Sequence, residues 1–335
     1  MPPILPRPPM TRQPAPDVRP TAAGVPPTED IRRLIDRVVD ARPVSGGFSG
    51  AEVYRVIDGD GRTFAVRRWP TGVDGDHVDA VHRRQFDWTP WTLPPTRLSD
   101  GSTRRTDADG RHWDATPWSD GVPLSDDADS AAIVDAVAVI GRFHRETGDI
   151  RSARGRSSTI AARVAGRRTL DGAIRAASES GSDDPVSCLL RRGGAAASRR
   201  IERLRRFDDA AVRVCPRDLH REHLLLRPGD GHPPAHVIDL DAAAPDRPES
   251  DVARYLGSFP DVAAEADDPT VRQAVESYGG GLDRVLVAEL MHATDWIAMA
   301  RWWMRLRSDP PADRVTAAER MNRWARRVER TGPAG

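Results

Sequence analysis

At 335 residues the chain exceeds what one small hydrophobic core supports, so two lobes or domains are expected. Its 50 basic and 50 acidic side chains cancel, which removes any global pull toward nucleic acid or an anionic membrane. Two cysteines, Cys188 and Cys215, make neither a disulfide framework nor a metal-binding spacing, which fits a reducing cytoplasm.

Residues 1–27 are rich in Pro and Arg, show no apolar periodicity and lack the apolar core of a signal peptide, so a disordered leader is expected. Thr28 and Asp30 then open a helical pattern, with Ile31, Leu34, Ile35 and Val38 recurring on one face. Ala51-Glu-Val-Tyr-Arg-Val-Ile alternates, Asp58-Gly-Asp-Gly supplies a hairpin turn, and Thr63-Phe-Ala-Val-Arg-Arg-Trp returns. Further strands are expected over residues 95–118. A small antiparallel sheet with a helix or two, residues 28–118, is thus predicted to form the N-lobe. From Ser130 the period becomes helical, and residues 119–330 read as a larger, mainly helical C-lobe. Within it, residues 151–197 read as an Arg-, Ala-, Ser- and Gly-rich insertion with short, weak helical pieces. The longest apolar run, residues 131–140, is interrupted by Asp135 and is too short to span a bilayer.

Every one of the 50 basic residues is arginine. A Walker A loop and a Schiff-base lysine are therefore excluded, and a phosphate here can be met only by guanidinium, histidine, a metal ion or backbone N–H groups.

The most informative segment is Cys215-Pro-Arg-Asp-Leu-His-Arg-Glu-His-Leu-Leu-Leu, followed by Val237-Ile-Asp-Leu-Asp. It places Asp218, His220 and His223 on a short polar loop entering an apolar strand, and Asp239 at the end of a second apolar strand. Two strand-end carboxylates can serve as a base for a hydroxyl nucleophile and an anchor for a divalent cation. Phosphoryl transfer needs those two parts, because catalysis there is mostly positioning and charge neutralisation. The same residues also spell a D-x-H-x-x-H pattern that a transition-metal hydrolase could use, with Asp239 as a further ligand.

With these residues in place, the chain resembles the aminoglycoside phosphotransferase and choline kinase branch of the protein-kinase-like fold. That family carries H-G-D-x-H-x-x-N, then I-D-[WFL]-[ED], then G-D-P-x-x-D-[LV]-A. Here the corresponding segments are Pro216-Arg-Asp-Leu-His-Arg-Glu-His, Val237-Ile-Asp-Leu-Asp and Asp246-Arg-Pro-Glu-Ser-Asp-Val-Ala. The resemblance implies a bilobed α+β fold and an ATP- or GTP-dependent phosphotransferase acting on a hydroxyl of a small molecule. It makes Asp218 the base or orienter with His220 beside it, Asp239 a ligand of Mg²⁺, and Asp251 a brace for the catalytic loop. Gly46, Gly47, Phe48, Ser49 and Gly50 would cover the nucleotide phosphates, with Arg67, Thr116 and Trp118 as further nucleotide contacts. A monomer or weak dimer is expected.

Three departures from the family pattern bear on mechanism. The strand lysine that contacts phosphate is Arg67, which keeps the charge and changes the geometry. The metal-binding Asn is His223, and an imidazole there weakens that site, shifts preference from Mg²⁺ toward Mn²⁺, or leaves one metal only. Asp79 is the nearest acidic residue on the following helix that could pair with Arg67. These changes leave a nucleotide-binding protein without turnover as an alternative to an active kinase.

Overall fold

The computed structural model describes residues 28–44, 50–148, 154–227, 229, 233–308 and 314–331, in two compact units. The first holds the residues up to 73 together with 97–115, the second 74–96 together with those from 116 onward. The leader expected at residues 1–27 lies outside the described residues.

In the first unit, α1 (Thr28–Arg32) precedes a sheet of β1 (Val38–Val44), β2 (Glu52–Asp58), β3 (Thr63–Arg68), β4 (Arg105–Thr106) and β5 (His112–Pro117). Its spatial order is β1-β2-β3-β5-β4. The alternation read from the sequence sends Tyr54, Val56, Phe64 and Val66 inward, with Tyr54 opposite Val66 and Val56 opposite Phe64. Ile31, Leu34, Ile35 and Trp113 complete that core. The hairpin turn forms where expected, because Asp58 Oδ1 accepts hydrogen bonds from the backbone N–H groups of Asp60 and Arg62, each at 2.9 Å.

The first helix is shorter than its periodicity predicts. Ile31, Leu34 and Ile35 are buried, but the helix stops at Arg32 and Val38 already belongs to a strand. Arg37, in a left-handed conformation (φ 50), turns the chain into β1. The charges and proline of Val38-Val-Asp-Ala-Arg-Pro-Val disguise this strand, and they suit the sheet edge it occupies.

The second unit begins with α2 (Gly75–Asp87), which the sequence grouped with the sheet. The boundary expected at 118/119 is corrected because the aromatic residues after α2 are buried elsewhere. Trp88 and Trp91 pack edge-on against Phe143, at centroid distances of 5.3 and 5.6 Å. The other helices are α3 (Ser130–Thr147), α4 (Ser158–Ser180), α5 (Pro185–Glu202), α6 (Pro248–Leu256), α7 (Pro269–Ser277), α8 (Arg284–Ser308) and α9 (Arg314–Thr331).

Residues 158–202 are not broken pieces but two full helices, α4 and α5, opened by capping side chains of Ser157 and Asp184. Their glycines serve close packing. A Cβ at Gly194 would lie 2.6 Å from Ile174, and one at Gly166 would lie 2.9 Å from Ile297 on α8. Trp296 and Trp303 of α8 are core residues.

Short antiparallel pairs connect the helices: β6 (Arg154–Arg156) with β7 (Asp209–Ala211), β8 (Arg213–Cys215) with β11 (Ala244–Asp246), and β9 (Leu224–Leu226) with β10 (Ala235–Val237). Among the described residues no helix is long and apolar enough to cross a membrane.

Candidate active site

The β9–β10 register places Leu224 opposite Val237. His223 therefore stands just before one strand and Asp239 just beyond the end of the other. The backbone N–H of Ile238 donates to the carbonyl of His223 at 3.0 Å, which continues the ladder to the site. The loop between β8 and β9 is anchored by buried Leu219 and by α6. Asp251 and Arg254 lie three residues apart and so share one face of α6. Asp251 accepts the backbone N–H of Arg217 at 2.7 Å, and Arg254 Nε donates to Asp218 Oδ1 at 2.7 Å. One helix thus fixes both the backbone and the carboxylate of the loop.

Behind the loop, His144 Nε2 lies 3.0 Å from Asp251 Oδ2, and His144 Nδ1 lies 2.8 Å from the Tyr278 hydroxyl. Burial pushes the Tyr278 hydroxyl up to about 12, so it keeps its proton at neutral pH and can donate to Nδ1. The tautomer that satisfies both contacts carries its proton on Nε2, toward Asp251.

Two site residues adopt the left-handed backbone that L-residues rarely use: Arg217 at φ 67 and Asp239 at φ 57. At the position of Arg217 the family pattern has glycine, and the observed φ is the physical reason. An arginine there costs about 1–2 kcal/mol of backbone strain, and Asp251 holds it in place.

Burial works against charge on Asp218, yet Arg254 overrides it and holds this carboxyl below the usual carboxylate range. His220 is pushed down to about 3 by burial, with His223 and Arg254 adding to the effect, so its ring is neutral. That ring packs against His223 at a centroid distance of 3.7 Å, tilted by 38°. His223 Nδ1 donates to the Asp218 carbonyl at 2.8 Å, and its Nε2 lies 3.4 Å from Asp239 Oδ2. An imidazole nitrogen plus a carboxylate oxygen is a donor set suited to a divalent ion with mixed N/O preference.

The remaining sequence-predicted residues are distributed as follows. Gly50 is left-handed (φ +75), whereas Gly46, Gly47, Phe48 and Ser49 lie outside the described residues. Arg67 shares the outward face of β3 with Ala65, and its guanidinium lies 3.9 Å over the Trp69 ring. Arg68 is neutralised by Asp107 at 2.8 Å, Asp109 at 2.9 Å and Glu52 at 3.4 Å. Thr116 lies near the end of β5, and Trp118 just beyond it is 39% exposed.

Sequence reasoning missed Arg254 and the His144–Tyr278 support, and it saw Asp246 only as part of a motif. Asp246 is fully buried and accepts from the hydroxyls of Ser158 and Thr159 at 2.9 and 2.8 Å and from the Arg247 N–H at 2.8 Å. It also accepts from the backbone N–H of Thr159 at 2.9 Å, which fastens the start of α4 to β11. Its motif position was legible, but its partners, almost ninety residues away, were not.

Residues 40–288 match the model of the phosphotransferase enzyme family. The chain belongs to that family. No curated protein sequence matches it. Solved structures supply relatives at the level of fold. An aminoglycoside phosphotransferase from Alicyclobacillus acidocaldarius aligns at 15% identity over 93% of this chain and 95% of that one, with a TM-score of 0.67. A spectinomycin phosphotransferase in complex with ADP and spectinomycin aligns at 13% identity over 91% of this chain and 97% of that one, with a TM-score of 0.63. An amicoumacin kinase in complex with AMP-PNP and Ca²⁺ aligns at 11% identity over 91% and 93%, with a TM-score of 0.62. This member of the phosphotransferase family accordingly has the protein-kinase-like architecture, an antiparallel sheet unit and a mainly helical unit.

Proposed function

We propose that the chain transfers the γ-phosphoryl group of ATP or GTP to a hydroxyl of a small molecule. The observation that carries this reading is the joint fixing of Asp218, by α6, and of Asp239, by the β9–β10 ladder, in a member of the phosphotransferase family. Relatives of the same fold bind ADP with spectinomycin, or AMP-PNP with Ca²⁺, which supports a nucleotide, a divalent cation and a small acceptor here.

The hydroxyl oxygen would form a bond to the γ-phosphorus as the bond to the bridging β–γ oxygen breaks, and the hydroxyl proton would be released toward Asp218. Because Arg254 keeps Asp218 ionised and weakly basic, its main task is to orient the hydroxyl, as a loose transition state requires. His220, neutral and packed against His223, positions that ring. Asp239 and His223 would hold the divalent cation, Mg²⁺ or Mn²⁺, whose charge neutralises the nucleotide phosphates when bound. Arg67 would supply the phosphate contact made by lysine elsewhere in the family.

The hydrolase alternative fits the geometry less well. Asp218, His220 and His223 are close enough to share an ion. However, Arg254 Nε already donates to Asp218 Oδ1 at 2.7 Å, so a guanidinium neutralises the carboxylate that such an ion would need. Incubation with γ-labelled ATP or GTP and a panel of hydroxylated acceptors tests the main reading. Labelled, acid-stable product that requires a divalent cation is expected. Tight nucleotide binding with no transfer to any acceptor would instead identify a protein that binds nucleotide without turning it over.

Two substitutions probe the departures from the family pattern. Arg67→Ala should weaken nucleotide binding by roughly tenfold, and Arg67→Lys by less, since charge survives and the bidentate fork does not. Calorimetry giving one affinity for all three proteins would remove Arg67 from the phosphates. His223→Asn should lower the ratio of Mn²⁺- to Mg²⁺-supported turnover several-fold, because an amide oxygen replaces imidazole nitrogen. An unchanged ratio would remove His223 from the metal site.

A further inference from the structure

Asp239 has a left-handed backbone (φ 57) just beyond β10, and such a residue persists only where its surroundings fix the chain on both sides. Upstream, the β9–β10 ladder and the segment that follows α2 do this together. The N–H of Ile238 donates to the His223 carbonyl at 3.0 Å, and the N–H of Val237 donates to the Trp91 carbonyl at 2.8 Å. Downstream the chain turns, with the Ala243 N–H donating to the Leu240 carbonyl at 3.0 Å. Two arginines meet the carbonyls of that turn. Arg217 Nη1 makes a long contact with Ala242 at 3.4 Å, and Arg84 Nη1 makes a short one with Ala243 at 2.6 Å.

Arg84 belongs to α2 and lies 159 residues from Ala243 in sequence. It is half-buried, and its guanidinium lies 5.7 Å from the centre of the Trp88 ring, one helical turn further on. Trp88 is itself buried edge-on against Phe143 of α3, and Trp91 Nε1 donates to Glu146 Oε2 of α3 at 2.8 Å. The arginine therefore reaches Ala243 from a segment that is already tied to α3. A hydrogen bond from a charged donor is roughly twice as strong as a neutral one, which suits a contact that must hold a turn. Its neighbour Arg83 is exposed and donates only within α2, from Nε to the Asp79 carbonyl at 3.3 Å.

The run from Val237 to Ala243 is thus bracketed by one structural element, with Trp91 before Asp239 and Arg84 after it. The carboxylate so placed lies 3.4 Å from His223 Nε2.

We propose that Arg84 is a positioning residue for metal capture, its hydrogen bond to the Ala243 carbonyl fixing the turn after β10 so that Asp239 presents its carboxylate beside His223. This rests on the phosphotransferase reading of Asp239 and extends it to a helix outside the motif that carries the metal ligands. Removing a group that orients a metal ligand weakens metal binding by about 10- to 100-fold.

The test measures AMP-PNP binding to the full chain by calorimetry, once with EDTA and once at a single fixed Mg²⁺ concentration. Wild type should bind more tightly with Mg²⁺. Arg84→Met keeps the stem over Trp88 and removes the N–H donors. It should bind as wild type does in EDTA and lose at least about tenfold of the gain that Mg²⁺ gives. Arg84→Lys should recover most of that gain, because an ammonium still donates to the carbonyl. Arg83→Gln, the same loss of charge on the exposed neighbour, should match wild type. Thermal unfolding of each variant establishes that it is folded.

Turnover supplies a second readout. The free Mg²⁺ needed for half-maximal rate should rise by a similar factor in Arg84→Met, while kcat at saturating Mg²⁺ and the acceptor KM stay near wild type. A residue that only stabilised the fold would lower the unfolding temperature without moving this Mg²⁺ requirement. An equal Mg²⁺-dependent gain in wild type and Arg84→Met overturns the proposal and leaves Asp239 as the metal anchor. Affinity lost equally in EDTA and in Mg²⁺ also overturns it, by assigning Arg84 to the nucleotide. Wild type with no Mg²⁺-dependent gain removes the metal from Asp239, and the phosphotransferase reading of that residue then falls with the proposal.

Discussion

Asp218→Asn should reduce phosphoryl transfer by about 10²–10⁴, the usual worth of a positioned acid–base or orienting group, while nucleotide affinity stays at the wild-type level. The carboxylate is fixed from two directions, through its own Oδ1 by Arg254 and through the neighbouring Arg217 N–H by Asp251, so its position is set before any substrate arrives. An amide at the same place keeps the shape but loses the charge that draws the hydroxyl proton. It also weakens the contact with Arg254, whose guanidinium would then add uncompensated positive charge beside the acceptor. Single-turnover measurements with the identified acceptor separate this loss from slow product release. Turnover within a few-fold of wild type would remove Asp218 from the reacting atoms. A parallel loss of nucleotide affinity would place it on the phosphates instead.

The parts of this site that were legible in the sequence are those fixed by local pattern. Asp218 lies on the polar loop that runs into β9 and Asp239 just beyond β10, and both the apolar strands and the spacing between them can be read directly. The sheet alternation and the Asp58 turn are local in the same sense. The support is not. Arg254 reaches Asp218 across 36 residues and His144 reaches Asp251 across 107, so neither partnership leaves a periodic trace. The glycines of α4 and α5 show the same limit from another side. Gly166 and Gly194 read as flexibility in isolation, yet each gives up its side chain to a neighbouring helix that only the fold reveals. The edge strand β1 was hidden because the charges and proline that suit an exposed edge count against a strand in propensity terms.

The departures from the family pattern gain a common explanation from the backbone and the charges together. At Arg217 a left-handed φ of 67 would be cheaper with glycine, yet the arginine places Nε 3.2 Å from Asp246 Oδ2 and Nη1 3.4 Å from the Ala242 carbonyl. The side chain thus makes an ion pair with Asp246 that glycine could not make. In a chain whose every long cation is guanidinium, ion pairs of this forked type replace the point charges a lysine would give. The concentration of such groups around Asp218 follows from the same composition, but their pairing does not. Arg217, Arg221 and Arg254 each have a carboxylate partner.

Asp251→Ala should be the most damaging change outside the residues that meet substrate. Asp251 is fully buried, and its two oxygens accept from the Arg217 N–H at 2.7 Å and from His144 Nε2 at 3.0 Å. Alanine strands both donors away from water, at about 1–3 kcal/mol for each, and it frees a strained left-handed residue next to Asp218. Unfolding free energy should fall by several kcal/mol, and the protein that remains folded should be slow, because Asp218 is no longer held from its backbone side. Asp251→Asn separates these effects. Its amide oxygen can still take the Arg217 N–H, and its amide nitrogen can donate to His144 once the ring protonates on Nδ1 and donates to Tyr278. Asparagine should therefore recover most of the stability and a large part of the rate. Denaturant midpoints and turnover per folded molecule measure the two quantities independently. An alanine variant as stable and as active as wild type would mean that the loop is held by Leu219 packing and Arg254 alone. Equal damage from asparagine and alanine would mean that the negative charge of Asp251, and not its hydrogen bonding, sustains the site.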